Sequence, residues 1–206
     1  MSETGLRERK RRRMYRTVSD TAVRLFLERG FDAVSVAEVA AAAEISKPTL
    51  FRYFPAKEDL VLYRIADHED EAARVVGRGP SPVEALRRHF LDGLRRCDPV
   101  TGLNDDPEVL AFHSLLYGTP ALVARLYGYL ERSEEALAEA LGGGLGARLA
   151  AGQIIAVRRI LAQENWRRIA AGEPVAEVRG DAVAAAERAF DVLAETLPRL
   201  GIMETR

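Results

Sequence analysis

Residues 45–60 read ISKPTLFRYFPAKEDL. Ser46 is an N-cap type and Pro48 falls in the first turn, where its missing N–H would have no helical partner, so a helix is predicted from Lys47 to Phe54. Thr49, Phe51, Arg52 and Tyr53 crowd two turns in which a core helix would carry aliphatics. That composition predicts a face held out of the core for a contact. Just upstream, Ser35-Val36-Ala37-Glu38 is a capping box, in which the serine hydroxyl serves a free N–H and the glutamate reaches back. It opens a second short helix over 35–44. A longer first helix over 9–29 carries Val18, Ala22, Leu25 and Phe26 on one face and stops at Gly30. Two short helices joined by a tight turn and packed on a first helix form a helix-turn-helix candidate, with Ala40, Ile45 and Leu50 placed to hold the pair together.

In such a unit the second helix enters the major groove of duplex DNA with its N-terminal residues nearest the bases. Lys47 can donate to guanine O6/N7 or to phosphate, and Thr49 can bond a base edge or touch a thymine methyl. Phe51 and Tyr53 supply apolar contact and a phenolic donor. Ser35 lies where a hydroxyl and a helix N-terminus can hold a phosphate, and Lys57 is expected to do the same from the other side.

The stretch RLFLERGFDAVSVAEVAAAAEISKPTLFRYFPAKEDLV resembles the N-terminal module of TetR-family transcriptional regulators. The likeness covers about residues 12–72: the LF-x-x-x-GF turn, the S-V-x-x-V-A helix, and S-K-x-T-x-[FY]-x-[YH]-F followed by x-x-K-E. It implies a homodimer on a palindromic double-stranded operator, repressing until a small-molecule effector binds the C-terminal domain. Carried over, operator contacts fall on Ser35, Val36, Lys47, Pro48, Thr49, Phe51, Tyr53 and Lys57. Two positions depart from the family pattern. Glu44 stands where glycine is usual and positive φ is expected. Ala56 stands where a capping serine is usual, leaving that cap to another group such as Asp59.

The net charge of −1 hides an asymmetry. Residues 1–58 hold 12 Lys/Arg against 8 Asp/Glu, whereas 59–206 hold 18 against 23. Arg9, Lys10, Arg11, Arg12 and Arg13 are read as a basic, flexible arm over 1–11 and just beyond, lying along phosphates or entering a minor groove. With 48% hydrophobic and 30% charged residues the chain is globular, and no apolar run approaches the ~18 residues of a membrane span. Neither a membrane partner nor a secretory leader is expected, and the single cysteine, Cys97, fits a reducing cytoplasm as a small buried apolar residue.

Strand patterns are nearly missing, so the fold class is all-α, with about nine helices: a helix-turn-helix head over 12–72 and a larger effector-binding and dimerising body over 78–206. A single long helix is expected over 57–76, and the last helix over 181–200. Val183, Ala186, Phe190, Leu193 and Leu197, spaced three and four apart, form a strip suited to a partner helix. With Ile154, Ile155, Ile160 and Leu161 of the preceding helix they are expected to make the dimer interface. The segments 106–141 and 158–172 resemble, more loosely, a subgroup binding acyl-CoA-like molecules, which places candidate pocket residues at Phe112, His113, Leu116, Tyr117, Tyr127 and Trp166.

No cofactor, metal or catalytic residue is expected. Gly142 to Ala147 matches G-x-G-x-x-A but follows a helix, so it reads as an interhelical turn. The acidic run 67–71 reads as a solvated face, and His68, His89 and His113 show no ligand spacing. The rival classes are an all-α enzyme and a DNA-free helical adaptor, and activation remains the alternative to repression. An adaptor would tolerate alanine at Lys47, Thr49 and Tyr53, where a regulator loses specific DNA retention.

Overall fold

A computed structural model describes residues 3–66, 68–77 and 81–202, apart from the side chains of residues 3–8, Lys10 and Arg12. The described residues form ten α-helices, two short 3-10 turns and no strand. Two compact units emerge, residues 1–67 with 111–127, and residues 68–110 with 128–206. They divide the chain differently from the expected bodies over 12–72 and 78–206, because residues 111–127 group with the head.

In the first unit, α1 (Glu3–Arg29) packs along α4 (Asp59–Ala66). Helix α1 starts well before the expected residue 9. Residues 6–29 contain neither Gly nor Pro and are rich in Arg, Lys and Glu, which are good helix formers. The basic residues therefore do not form a flexible arm; Arg9, Arg11 and Arg13 are exposed on the helix. The expected contacts at Lys10 and Arg12 fall on side chains outside the described residues. Gly30 ends the helix at φ 88, a conformation costly for any residue with a Cβ. Val18, Ala22, Val23 and Phe26 bury one face of α1 with Leu60 and Val61 of α4, and the buried Ser19 Oγ donates to Leu60 O at 2.7 Å. Helices α2 (Val36–Ala42) and α3 (Lys47–Tyr53) complete the head.

The second unit begins where one long helix was expected. The chain breaks after α4, and a separate α5 (Glu71–Val76) packs on α6 (Pro82–Arg95). The acidic run works against continuity: like charges repel along a helix, and Glu69 is drawn to Arg132 at 2.9 and 3.0 Å. A 3-10 turn at Pro99–Thr101 follows, then α7 (Pro107–Gly118) and α8 (Pro120–Ala140), whose residues 111–127 belong to the first unit, and α9 (Gly144–Ala170) and α10 (Val175–Thr196), closed by a 3-10 turn at Leu197–Leu200. Gly102, at φ 71, lies so close to Ala162 O that a Cβ would sit 1.9 Å from it, and the buried Asn165 Nδ2 donates to Thr101 O at 2.9 Å. These contacts fix the turn on α9.

Helix α10 lies against both α6 and α9. Ala186, Phe190, Leu193 and Leu197 are buried there together with Ile154 and Ile155, and the Phe90 and Phe190 rings meet at 6.1 Å. The expected dimer strip is therefore this subunit's own core, with Val183 partly buried against it. The three-four spacing identified a buried face correctly but assigned it to the wrong partner. Cys97 is also corrected: it is half-buried at φ 52 and accepts a hydrogen bond from Arg179 at 2.9 Å.

Candidate nucleic-acid interface

The entry to α2 is built as its residues dictate. Ser35 Oγ accepts from Glu38 N–H at 3.2 Å, and Glu38 Oε2 accepts from Ser35 N–H at 2.8 Å. Arg29 donates to the other carboxylate oxygen at 2.7 Å. The Ser35 backbone bond above all, then Arg29 and the Ser35 hydroxyl, hold the Glu38 carboxyl down at about 2. Between α2 and α3 the chain turns through Glu44 at φ 55. Ile45 N–H donates to Ala40 O at 3.0 Å and Glu44 N–H to Ala41 O at 3.1 Å, the paired bonds of a Schellman motif.

Ser46 caps α3 by accepting from Thr49 N–H at 3.2 Å, and the two hydroxyls lie 2.7 Å apart. Leu50 is fully buried, Ala40 is buried with it and Ile45 is half-buried, so this side of α3 faces α2 and the core. The rest of the helix surface carries exposed Lys47, Pro48 and Arg52, with Phe51 left 41% exposed. Lys47 Nζ stands 5.9 Å from the Phe51 ring centre. Thr49 and Tyr53 are half-buried, Ser35 is exposed and Val36 half-buried. A cation and an aromatic ring are thus presented side by side, a pairing suited to phosphates and base edges.

Tyr53 has a second, structural side. Its ring meets Tyr15 edge-on at 5.0 Å, Tyr15 stacks on Tyr63 at 5.3 Å, and Phe54 meets Tyr15 at 5.2 Å. Four rings from α1, α3, its cap residue and α4 thus set the tilt of α3. Lys57 departs from expectation: its ammonium donates to Phe31 O and lies 4.3 Å from the Phe31 ring centre and 5.4 Å from that of Phe26. It is committed to the head's own turn, so the phosphate contact expected of it is withdrawn. The cap left open by Ala56 is made by Asp59, whose Oδ2 accepts from Ala56 N–H at 2.9 Å.

Three features escaped the sequence reading. Arg52, noted on the helix but not as a contact, stacks 5.2 Å from the Tyr53 ring centre and donates to its hydroxyl at 3.4 Å; its place one turn beyond Pro48 was the available signal. Tyr15 and Tyr63 lie on other helices. Arg125 of α8 binds Asp59 through two bonds at 2.8 and 3.1 Å, a pairing 66 positions apart that no local pattern announces.

Of the expected pocket residues, Phe112, His113 and Tyr117 come together, with successive ring centres 5.9 and 6.0 Å apart. Burial pushes His113 down to about 4, so it is neutral at pH 7. Leu116 is buried, Tyr127 is 56% exposed, and Trp166 belongs to the second unit. Of the acidic run, Asp67 lies outside the described residues. Glu71 is not solvated: His68, His89 and Arg158 stand 3.2, 3.3 and 3.0 Å from its oxygens. Burial pushes its carboxyl up, but the histidine bonds and Arg158 outweigh burial and hold it well below the carboxylate range. Among the described residues, no three or more His, Cys, Asp and Glu side chains are grouped to hold a metal ion. Of the 142–147 run expected as an interhelical turn, only Gly142 and Gly143, at φ 100 and 75, turn the chain between α8 and α9, and residues 144–147 are the first turn of α9.

Helices α1, α2 and α3 with this surface define a helix-turn-helix head. Residues 19–63 match the family described as bacterial regulatory proteins, tetR family. The chain is similar to the HTH-type transcriptional regulator TcmR of Streptomyces glaucescens, 34% identical over 136 residues. That match takes in 64% of this chain and 58% of the relative, so the chain spans little more than half of that protein's length. In fold it is similar to Salmonella enterica GusR, with a TM-score of 0.56 at 17% identity over 90% of this chain and 95% of the other. It is similar also to Bacillus subtilis FadR in complex with stearoyl-CoA, with a TM-score of 0.51 at 18% identity over 87% and 97%. Residues 19–63, within the head, are a module of the tetR family of bacterial regulatory proteins.

Proposed function

We propose that the chain is a ligand-responsive repressor that binds a palindromic duplex operator as a homodimer in the cytoplasm. What carries the reading is the α3 surface: Lys47, Phe51 and Arg52 stand exposed while Leu50, between them in the chain, is fully buried. A helix anchored on one side and charged and aromatic on the other is the geometry of a recognition helix. Ser35, Val36, Pro48, Thr49 and Tyr53 flank that surface and complete the proposed contact set. Arg9, Arg11 and Arg13 on α1 add positive charge for the phosphates.

With the buried strip of α10 withdrawn, we assign self-association to the outward faces of α9 and α10. Leu145, Leu149 and Ile160, spaced four and eleven along α9, are exposed on one side of that helix, and Val192 is exposed on α10. For the effector we propose an acyl-CoA-like molecule, a class supported by the looser likeness in 106–141 and 158–172 and by the stearoyl-CoA complex of FadR, which shares the fold. An effector that prefers a conformation with the heads wrongly spaced lowers operator affinity by its differential binding.

Selection of bound fragments from a random duplex pool tests the reading. A palindrome is expected, its half-sites ~34–36 Å apart or a multiple of that. A pool that stays random through successive rounds overturns it.

A further inference from the structure

We infer that Arg125 is a positioning residue for the DNA-binding surface, acting through Asp59 on the turn that follows the recognition helix. The inference rests on the reading of α3 as the DNA-contacting helix.

Asp59 opens α4, and its side chain is 19% exposed. Its Oδ2 accepts from Ala56 N–H at 2.9 Å and also from Arg125 Nη2 at 3.1 Å, while Oδ1 accepts from Arg125 Nε at 2.8 Å. One carboxylate thus serves both as the cap of the α3–α4 turn and as the seat of a guanidinium from α8. The two-pronged bond fixes the plane of the carboxylate, so a rotation that frees one partner loosens the other. Ala56 has no side chain able to supply the cap itself.

The path from this carboxylate to the recognition helix is short. Phe54 ends α3 in an extended conformation, φ −130 and ψ 94, and Pro55 restrains it there. Only residues 55–58 separate that cap from α4. On its other flank α4 is pinned to α1 by the Ser19 bond to Leu60 O and by Arg64 on Asp20 at 2.9 Å. The start of α4 is therefore held from two sides, by α1 and by α8. Arg125 is 46% exposed, and such a pair contributes little to stability by itself. Its consequence is geometric: whatever withdraws the first turns of α8 loosens the turn that aims Lys47 and Tyr53.

The experiment compares Arg125→Ala, Asp59→Asn, their double variant and Asp59→Ala with the wild type. Affinity is measured for a duplex that the wild type enriches from the random pool, across a salt series. Asparagine keeps an oxygen to cap Ala56 but loses the charge that seats Arg125. Arg125→Ala and Asp59→Asn are therefore expected to weaken binding alike, by about three- to tenfold, the span of one ordinary hydrogen bond at a half-exposed site. The double variant should be no weaker than either, Asp59→Ala should be weaker than all three, and Arg125→Lys should recover part of the loss. The salt slope should stay at the wild-type value. Losses that add in the double variant, or a slope lower by about one on removing Arg125, would overturn the inference, the latter by making Arg125 a phosphate contact.

Amide exchange at Ala56 is read in the same proteins without DNA, and it should quicken in Arg125→Ala. Unchanged exchange there refutes the coupling. A wild type that enriches no duplex refutes the DNA-binding reading while this second measurement still decides the coupling.

Discussion

Glu44 is held at φ 55 in the turn between α2 and α3, and it is exposed. An L-residue in the left-handed region costs about 1–2 kcal/mol, because Cβ crowds the carbonyl oxygen. Replacement by glycine removes that cost but releases about 0.5–1 kcal/mol of extra chain entropy in the unfolded state. The two turn bonds, Ile45 to Ala40 O and Glu44 to Ala41 O, are backbone bonds and survive the change. Glu44→Gly is thus expected to stabilise by about 0.5–1 kcal/mol, raising the thermal midpoint by about 1–4 °C in a chain of this size. The controls are Glu44→Ala, which keeps a Cβ and should stay within about 0.5 kcal/mol of wild type, and Glu44→Asn, which should fall between the two. Thermal and urea midpoints measured on all four proteins, with unchanged urea slopes, decide the matter. A lower midpoint for the glycine variant refutes the strain argument. A rise in the alanine variant equal to that in glycine refutes it too, since the gain would then come from losing the charged side chain.

Leu50→Ala should cost about 2–5 kcal/mol in a urea titration, because the side chain is fully buried between the two short helices. Lys47→Ala should leave the thermal midpoint in place while weakening the selected duplex and lowering the salt slope by about one if the ammonium meets a phosphate, whereas full retention by Lys47→Ala and Thr49→Ala would favour an adaptor. The Glu38 carboxyl is held at about 2 against 4.5 when unperturbed, so its contribution is complete above 4.5 and is lost as pH falls through 2. Acid unfolding of Glu38→Gln should lack that portion of the pH dependence. His113 is depressed to about 4 from 6.5, so the stability of its neutral form is present above 6.5 and falls away as pH drops toward 4. His113→Leu should flatten the stability profile between those two values.

The head was legible because its instructions are local. Ser35 with Glu38, Ser46 with Pro48, Gly30 and the strain position at Glu44 each act within four residues, so their spacing in the chain is their spacing in the structure. The cap passed from Ala56 to Asp59 was readable for the same reason. The body was less legible, because its decisive contacts are distant. The spacing of Ala186, Phe190, Leu193 and Leu197 announced a buried face, yet periodicity does not say what covers it; here α6 and α9 of the same chain do. The break before α5 followed from Glu69 finding Arg132 and Glu71 finding Arg158, partners more than sixty positions away. The inward turn of Lys57 depended on where Phe31 placed its carbonyl and ring.

Amino-acid order alone determined that this chain is helical, that α3 is capped, and that its Lys47–Tyr53 face differs in kind from a core face. Tertiary structure alone decided which charges meet, above all Arg125 with Asp59 and the histidines with Glu71. Capping and helix periodicity are interactions of near neighbours, whereas an ion pair between helices exists only once packing has brought the two chain segments together.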